Sequence, residues 1–291
     1  MKGRLLTPRT RAELYLFSLT IIWGSTFVLT KFILIHASPF VYVALRFAFA
    51  SILFFILFYK RLKSITYRGI IKGSVLGILL FIGFVVQTIG LKYTTASKSA
   101  FITGLMVVFT PLFQLLIERK PPKIGNILGV ILVAIGLYCM TSPQGSAFNI
   151  GDGLTLIGAI TFGLYMVYLD MYCREFEPSH LTIVQFVSTT LLALCTIPFL
   201  ETAYLDIDVN FVLVLFYLVL MPTIVALYVM AKYQQYTTPT RSAIIYSMEP
   251  PFAAIFAFLV LGEILGFIGI FGALIIISGL IVSELSDVIF K

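Results

Sequence analysis

Ten apolar runs of roughly 18–22 residues follow one another along the chain, each long enough to cross a hydrocarbon core of ~30 Å as a helix. They fall at approximately 13–35, 40–59, 70–91, 98–117, 124–141, 152–173, 181–200, 211–230, 241–261 and 266–284. None carries the short alternation of a membrane barrel, and a lipid-exposed backbone must satisfy its polar groups internally, so the runs are expected to be helices. Composition agrees: 60% of residues are hydrophobic and 11% charged, where a soluble domain has about a quarter charged. The expected fold class is an all-α polytopic membrane protein with ten transmembrane helices.

The net charge of +7 does not indicate nucleic acid, because its distribution is one-sided. Lys2, Arg4, Arg9 and Arg11 precede the first run, and Lys60, Arg61, Lys63, Arg68 and Lys72 lie around the second connection. Arg119, Lys120, Lys123, Arg174, Lys232, Arg241 and Lys291 fall on the same side if the helices alternate. The other side carries only Lys31, Lys92 and Lys98, and its connections near 142–151 and 200–210 hold no Lys or Arg. Basic connections stay cytoplasmic, which predicts both termini inside a multi-pass protein of the cytoplasmic (inner) membrane. The first run is too long for a cleavable signal and lacks a small-residue cleavage site, so it is expected to remain as helix one. Cys139, Cys173 and Cys195 have no metal-like spacing and read as buried, reduced thiols.

A second feature narrows the topology. YTTASKSAFI at 93–102 aligns with YTTPTRSAII at 236–245 without a gap, at a step of about 143 residues. The same step places Phe109 on Phe252, Phe113 on Phe256, Gly129 on Gly272 and Gly136 on Gly279. Nearer the start, a step of about 139 residues places Trp23 on Phe162, Pro39 on Pro178 and Arg46 on Gln185. Residues 1–145 and 146–291 are thus expected to be two repeats of five helices. An odd number per repeat makes the second enter from the opposite face, so the repeats are inverted. In transporters, such symmetry puts the substrate site near the midplane between the halves.

Here the chain resembles the drug/metabolite transporter superfamily, specifically its EamA-type ten-helix family. The motifs are IIWGSTFV at 21–28, ALRFAFA at 44–50, SAFITGLMVVFTPLF at 99–113, the E-R-K-P run at 118–121, SMEPPF at 247–252 and GE at 262–263. The segment from Pro111 to Glu118 is a couple of residues shorter than that family's usual pattern. The resemblance implies export or exchange of a small polar metabolite, an amino acid or related compound. Uptake of nucleotide-like, amine or sugar-type metabolites, or a non-transporting scaffold, are the alternatives.

Candidate site residues follow from intramembrane polarity. Ser99, Thr103, Met106 and Thr110 share one helical face, and their repeat partners Ser242, Tyr246, Glu249 and Ala253 share another. Two such stripes suggest a wet cavity; helix packing by small hydroxyl residues is the competing explanation. Glu249 lies ~12 Å into the membrane beside Pro250 and Pro251, where a carboxyl next to a broken helix can serve as a substrate or proton site or lock the kink. Arg46 can meet a carboxylate or pair with helix-end carbonyls. Gln87, Trp23, Thr26, Tyr165, Tyr168 and Tyr228 are further candidates for cavity walls, each also compatible with packing or an interfacial belt. Helices three, four, eight and nine are expected to frame the cavity, with one and six contributing. His36 and His180 fall on opposite sides, which argues against a shared acid–base site and against an enzyme. No cofactor or metal is expected; the expected partners are a small-molecule substrate and the bilayer, with no nucleic acid, in a monomer or weak homodimer.

Overall fold

The computed structural model describes residues 7–141, 148–264 and 266–289; Lys2, Arg4, Lys291 and most of the 142–151 connection lie outside them. The described residues are helical almost throughout. In chain order they form α1 (Pro8–His36), α2 (Pro39–Leu62), α3 (Tyr67–Leu91), α4 (Ala96–Gly104), α5 (Met106–Glu118) and α6 (Ile124–Thr141). The second half has α7 (Ile150–Cys173), α8 (Pro178–Leu200), α9 (Val209–Val219), a π-helical turn (Leu220–Val225), α10 (Ala226–Tyr233), a 3₁₀ turn (Gln234–Tyr236), α11 (Pro239–Tyr246), α12 (Glu249–Leu261) and α13 (Phe267–Ile289).

Eight segments are long and apolar enough to cross a membrane, and three of them are composites: α4 with α5, α9 through the 3₁₀ turn, and α11 with α12. The remaining two apolar helices are α6 and α13. They pack on each other along their small residues. A Cβ added at Gly129 would lie 2.9 Å from Gly279 O, and one added at Gly136 would lie 2.6 Å from Gly272 O.

The repeat detected in the sequence reappears as a two-fold relation in these contacts. Gly129 and Gly279 touch, and so do their repeat partners Gly272 and Gly136. The helices therefore run antiparallel, as an axis in the membrane plane requires. Farther in, Gly24 of α1 abuts Phe252 and Ala253 of α12, and Gly163 of α7 abuts Phe109 and Thr110 of α5. Each half thus lays its first helix against the fourth of the other. Arg119 and Gly262, repeat partners again, both end their helices in left-handed conformation, at φ 56° and 67°.

The helix starts are locally encoded. Thr7, Thr66, Thr95, Asp208 and Thr238 accept a backbone N–H with their side chains at the N-caps, and Asn149 with Asp152 forms a reciprocal capping box. At the start of α2 the Glu201 carboxylate, just past the end of α8, accepts from Ser38 Oγ at 2.8 Å and Val41 N at 3.0 Å. Outward positions are large and apolar, as at Phe55, Leu57, Phe199 and Phe267, which suits a lipid solvent. His36 ends α1, and His180 lies in the first turn of α8. Cys139 is half-buried and Cys195 exposed, so only Cys173 is the buried thiol expected of all three.

Candidate functional site

Two interruptions at matching places open the middle of the bundle. The fourth span breaks at Leu105, between α4 and α5, and the ninth breaks at Ser247–Met248, between α11 and α12. Leu105 and Met248 are one repeat step apart. In the ninth span, Pro250 and Pro251 stand in the first turn of α12, where their missing N–H groups would have had no helical partner anyway. The double proline thus begins a helix instead of kinking one, and Glu249 is that helix's first residue.

A third interruption lies in the eighth span. Pro222 has no N–H to offer Leu218 O, its partner one helical turn back; Thr223 Oγ1 donates to that oxygen instead, at 2.7 Å. The turn widens to π geometry, and Ala226 N–H bonds to Met221 O and Thr223 O. Trp23 Nε1, from α1, donates to Pro222 O at 3.0 Å. Arg46 Nε, from α2, donates to Thr223 Oγ1 at 2.6 Å. One proline thereby anchors both an aromatic ring and a guanidinium.

These features surround a mostly apolar cavity lined by fifteen residues, the kind of concave surface that takes a small ligand. Twelve of the fifteen form repeat pairs: Trp23 with Phe162, Thr26 with Tyr165, Phe84 with Leu227, Gln87 with Met230, Thr103 with Tyr246, and Met106 with Glu249. The cavity therefore sits on the two-fold axis. Arg46, Leu80 and Met166 complete it.

The pairing is geometric; the chemistry is not symmetric. Glu249 is half-buried and no described residue hydrogen-bonds its carboxylate. Across the cavity Arg46 is 2% exposed, and its Nη1 donates to Tyr42 OH at 3.0 Å. Its Nη2 is buried without a hydrogen-bond partner among the described residues. The guanidinium also lies 4.8 Å from the Phe84 ring centroid, a favourable cation–π position. Gln87 Nε2 donates to Thr103 Oγ1 at 2.9 Å, and Tyr165 OH donates to Gln185 Oε1 at 2.9 Å. Trp23 meets the Tyr246 ring edge-on at 5.1 Å, and Tyr246 OH is buried with no hydrogen-bond partner among the described residues. A ligand entering here meets a guanidinium, a carboxyl group and a wall of rings.

Of the fifteen residues singled out in the sequence, Glu249, Tyr246, Thr103, Met106, Gln87, Trp23, Thr26, Tyr165 and Arg46 line this cavity. Six stand elsewhere. Ser99 is fully buried, and Ser242 Oγ donates to Gln234 Oε1 at 2.7 Å. Each lies one helical turn before a lining residue, Thr103 or Tyr246, on the same unbroken segment, and so stops short of the cavity. Thr110 and Ala253, at the far ends of the two stripes, are packed against α7 and α1 instead. Tyr168 packs on Tyr172, and Tyr228 packs on Phe54 and Phe58. The apolar walls Leu80, Phe84, Phe162, Met166, Leu227 and Met230 escape sequence reasoning, since nothing in an apolar run separates a cavity-facing Leu from a lipid-facing one.

The sequence profile of the EamA-like transporter family matches residues 10–142 and again 149–285. The chain belongs to the EamA-like transporter family. A protein named only as an uncharacterized transporter of Archaeoglobus fulgidus is 34% identical over 277 residues, which cover 95% of this chain and 87% of the relative. A second uncharacterized transporter of that organism is 28% identical, covering 93% of this chain and 96% of its own. The Bacillus subtilis uncharacterized transporter YvbV is 28% identical over 56% of this chain and 54% of its own. One solved crystal structure superposes with a TM-score of 0.77 over 94% of this chain and 96% of its own at 16% identity, which bears on the fold alone. This EamA-like chain is accordingly a polytopic membrane transporter.

Proposed function

We propose that this EamA-like transporter carries a small zwitterionic metabolite, an amino acid or close relative, across the cytoplasmic membrane by alternating access, in export or exchange. The observation that carries the reading is the pairing of Arg46 and Glu249 in one cavity on the two-fold axis, with a guanidinium N–H and a carboxylate both left without protein partners. A carboxylate on the substrate would complete Arg46, and an ammonium group would complete Glu249; the rings of Trp23, Phe84, Phe162 and Tyr246 would take an apolar side chain. The basic face, which holds the starts of α1 and α11, is the cytoplasmic one in this reading. The protein acts as a monomer or weak homodimer, and as a carrier rather than an enzyme, driven by a gradient.

Counterflow in sealed proteoliposomes loaded in turn with amino acids, amines, nucleobases and sugar phosphates tests this. Saturable exchange of amino acids is expected. Glu249→Gln and Arg46→Gln should each weaken it about 10- to 100-fold, the loss of one charged hydrogen bond. Exchange of amines that depends on Glu249 but is indifferent to Arg46 would replace the zwitterion with a simple cation. Full exchange by Glu249→Gln would remove the carboxylate from the site.

A further inference from the structure

Two ion pairs outside the cavity are also related by the repeat. Near the start of α7, on the face opposite the basic one, the fully buried Asp152 accepts from Lys98 Nζ at 2.6 Å and from Thr94 Oγ1 at 2.8 Å. Near the start of α1, on the basic face, Glu13 accepts from Arg241, through Nε, and from Thr237 Oγ1 at 3.3 Å. Asp152 is the repeat partner of Glu13; Lys98 and Thr94 are the partners of Arg241 and Thr237. In both, the acid comes from the first helix of one half, while the base and the threonine come from the entry to the fourth helix of the other half. Both sit on the same helix pairs that flank the cavity, one toward each membrane face. The two acids differ in type, as do the two bases, so the arrangement of charge is kept although the residues are not.

We infer that these are the two latches of the transport cycle: Asp152–Lys98 holds the face opposite the basic one shut, Glu13–Arg241 holds the basic face shut, and each half-cycle releases one while the other stays made. Both are formed in this structure, which places it between the two open states. A two-fold axis in the membrane plane makes the opening movements at the two faces images of one another. A bond that joins the halves at one face is then lost when that face parts, and its image at the other face is kept. The surroundings are alike in kind but not in number. Arg9 Nε also bonds Glu13, at 2.9 Å, whereas Asp152 is held by the Asn149 backbone of its own capping box. This inference rests on the alternating-access reading above, but its test needs no substrate.

The test replaces the three native cysteines, places a single reporter at Leu80→Cys in the cavity wall, and measures labelling by a membrane-impermeant thiol reagent applied to either side of oriented vesicles. Asp152→Asn should raise labelling from the face opposite the basic one relative to the basic face by about tenfold or more, the scale of losing one charged contact. Glu13→Gln should move the ratio the other way by a similar factor. The charge exchange Lys98→Asp with Asp152→Lys should return the ratio toward that of the unmodified pair, which separates a latch from a residue needed only for folding. Ratios that move in the same direction for both acids, or stay unchanged in folded protein, would overturn the latches and leave two structural staples. Opposed ratios in a protein that exchanges none of the tested solutes would keep the latches and reject the substrate assignment; exchange with unmoved ratios would do the reverse.

Discussion

Leu218 O loses its expected backbone donor to the ring of Pro222, and the hydroxyl of Thr223 takes over that role while also receiving Arg46. Replacing Thr223 by the isosteric Val leaves a carbonyl and a guanidinium N–H buried without this partner. The expected outcome is a loss of about 1–3 kcal/mol in stability, with weaker substrate binding because Arg46 is no longer oriented. Thr223→Ser should recover both. Thermal unfolding in detergent reads the first and the concentration dependence of counterflow the second; an unchanged melting temperature for Thr223→Val would dismiss the role. Glu249 is legible from sequence because a carboxyl beside two prolines in an apolar run stands out chemically. Sequence misplaces Tyr228 for a definite reason. It is singled out by residue type alone, and in the helix that follows the π turn at Leu220–Val225 it is Leu227 and Met230 that face the cavity. A proline announces that a helix is disturbed, not whether it will kink, widen or begin anew.

Among the elements, the crossings of α1 with α12 and of α7 with α5 set how closely the two halves approach. At Gly24 an added Cβ would lie 2.8 Å from Phe252 Cβ and 2.9 Å from Ala253 N, while at Gly163 it would lie 3.1 Å from Phe109 Cβ and 3.2 Å from Thr110 N. Gly24→Ala must push one helix off the backbone of the other and is expected to lower stability by about 1–3 kcal/mol, the usual range for overpacking. Gly163→Ala needs a smaller adjustment and should lower it less. Melting the two variants side by side checks the order, and equal melting temperatures would contradict it. The ten helices and most of their ends are readable, since apolar length and threonine caps are local signals. Which glycines make the contacts is not. Gly129 pairs with Gly279 and Gly136 with Gly272, whereas Gly266 meets nothing within 4 Å.

At the scale of the whole molecule, the duplication reads as a sequence pattern and returns as a shared cavity, paired helix breaks and paired ion pairs. The alignment of Trp23 with Phe162, or of Met106 with Glu249, has no spatial meaning until the axis places both members on one wall. The halves also interlock, because each supplies the surface that covers the other's first helix. Residues 1–145 and 146–291 expressed as separate polypeptides should therefore yield a folded, co-purifying complex only when both are present. A first half that is monodisperse and thermally cooperative by itself would show that the interlock is dispensable.

That same crossing bears on how the protein is made. Gly24 is synthesised more than 200 residues before the helix that fits against it, which carries Phe252 and Ala253. Until α11 and α12 are made, the nascent α1 must stand in lipid with this face uncovered and Glu13 waiting for Arg241. Insertion of this chain is thus a process in which α1 is seated only after α12 has been made.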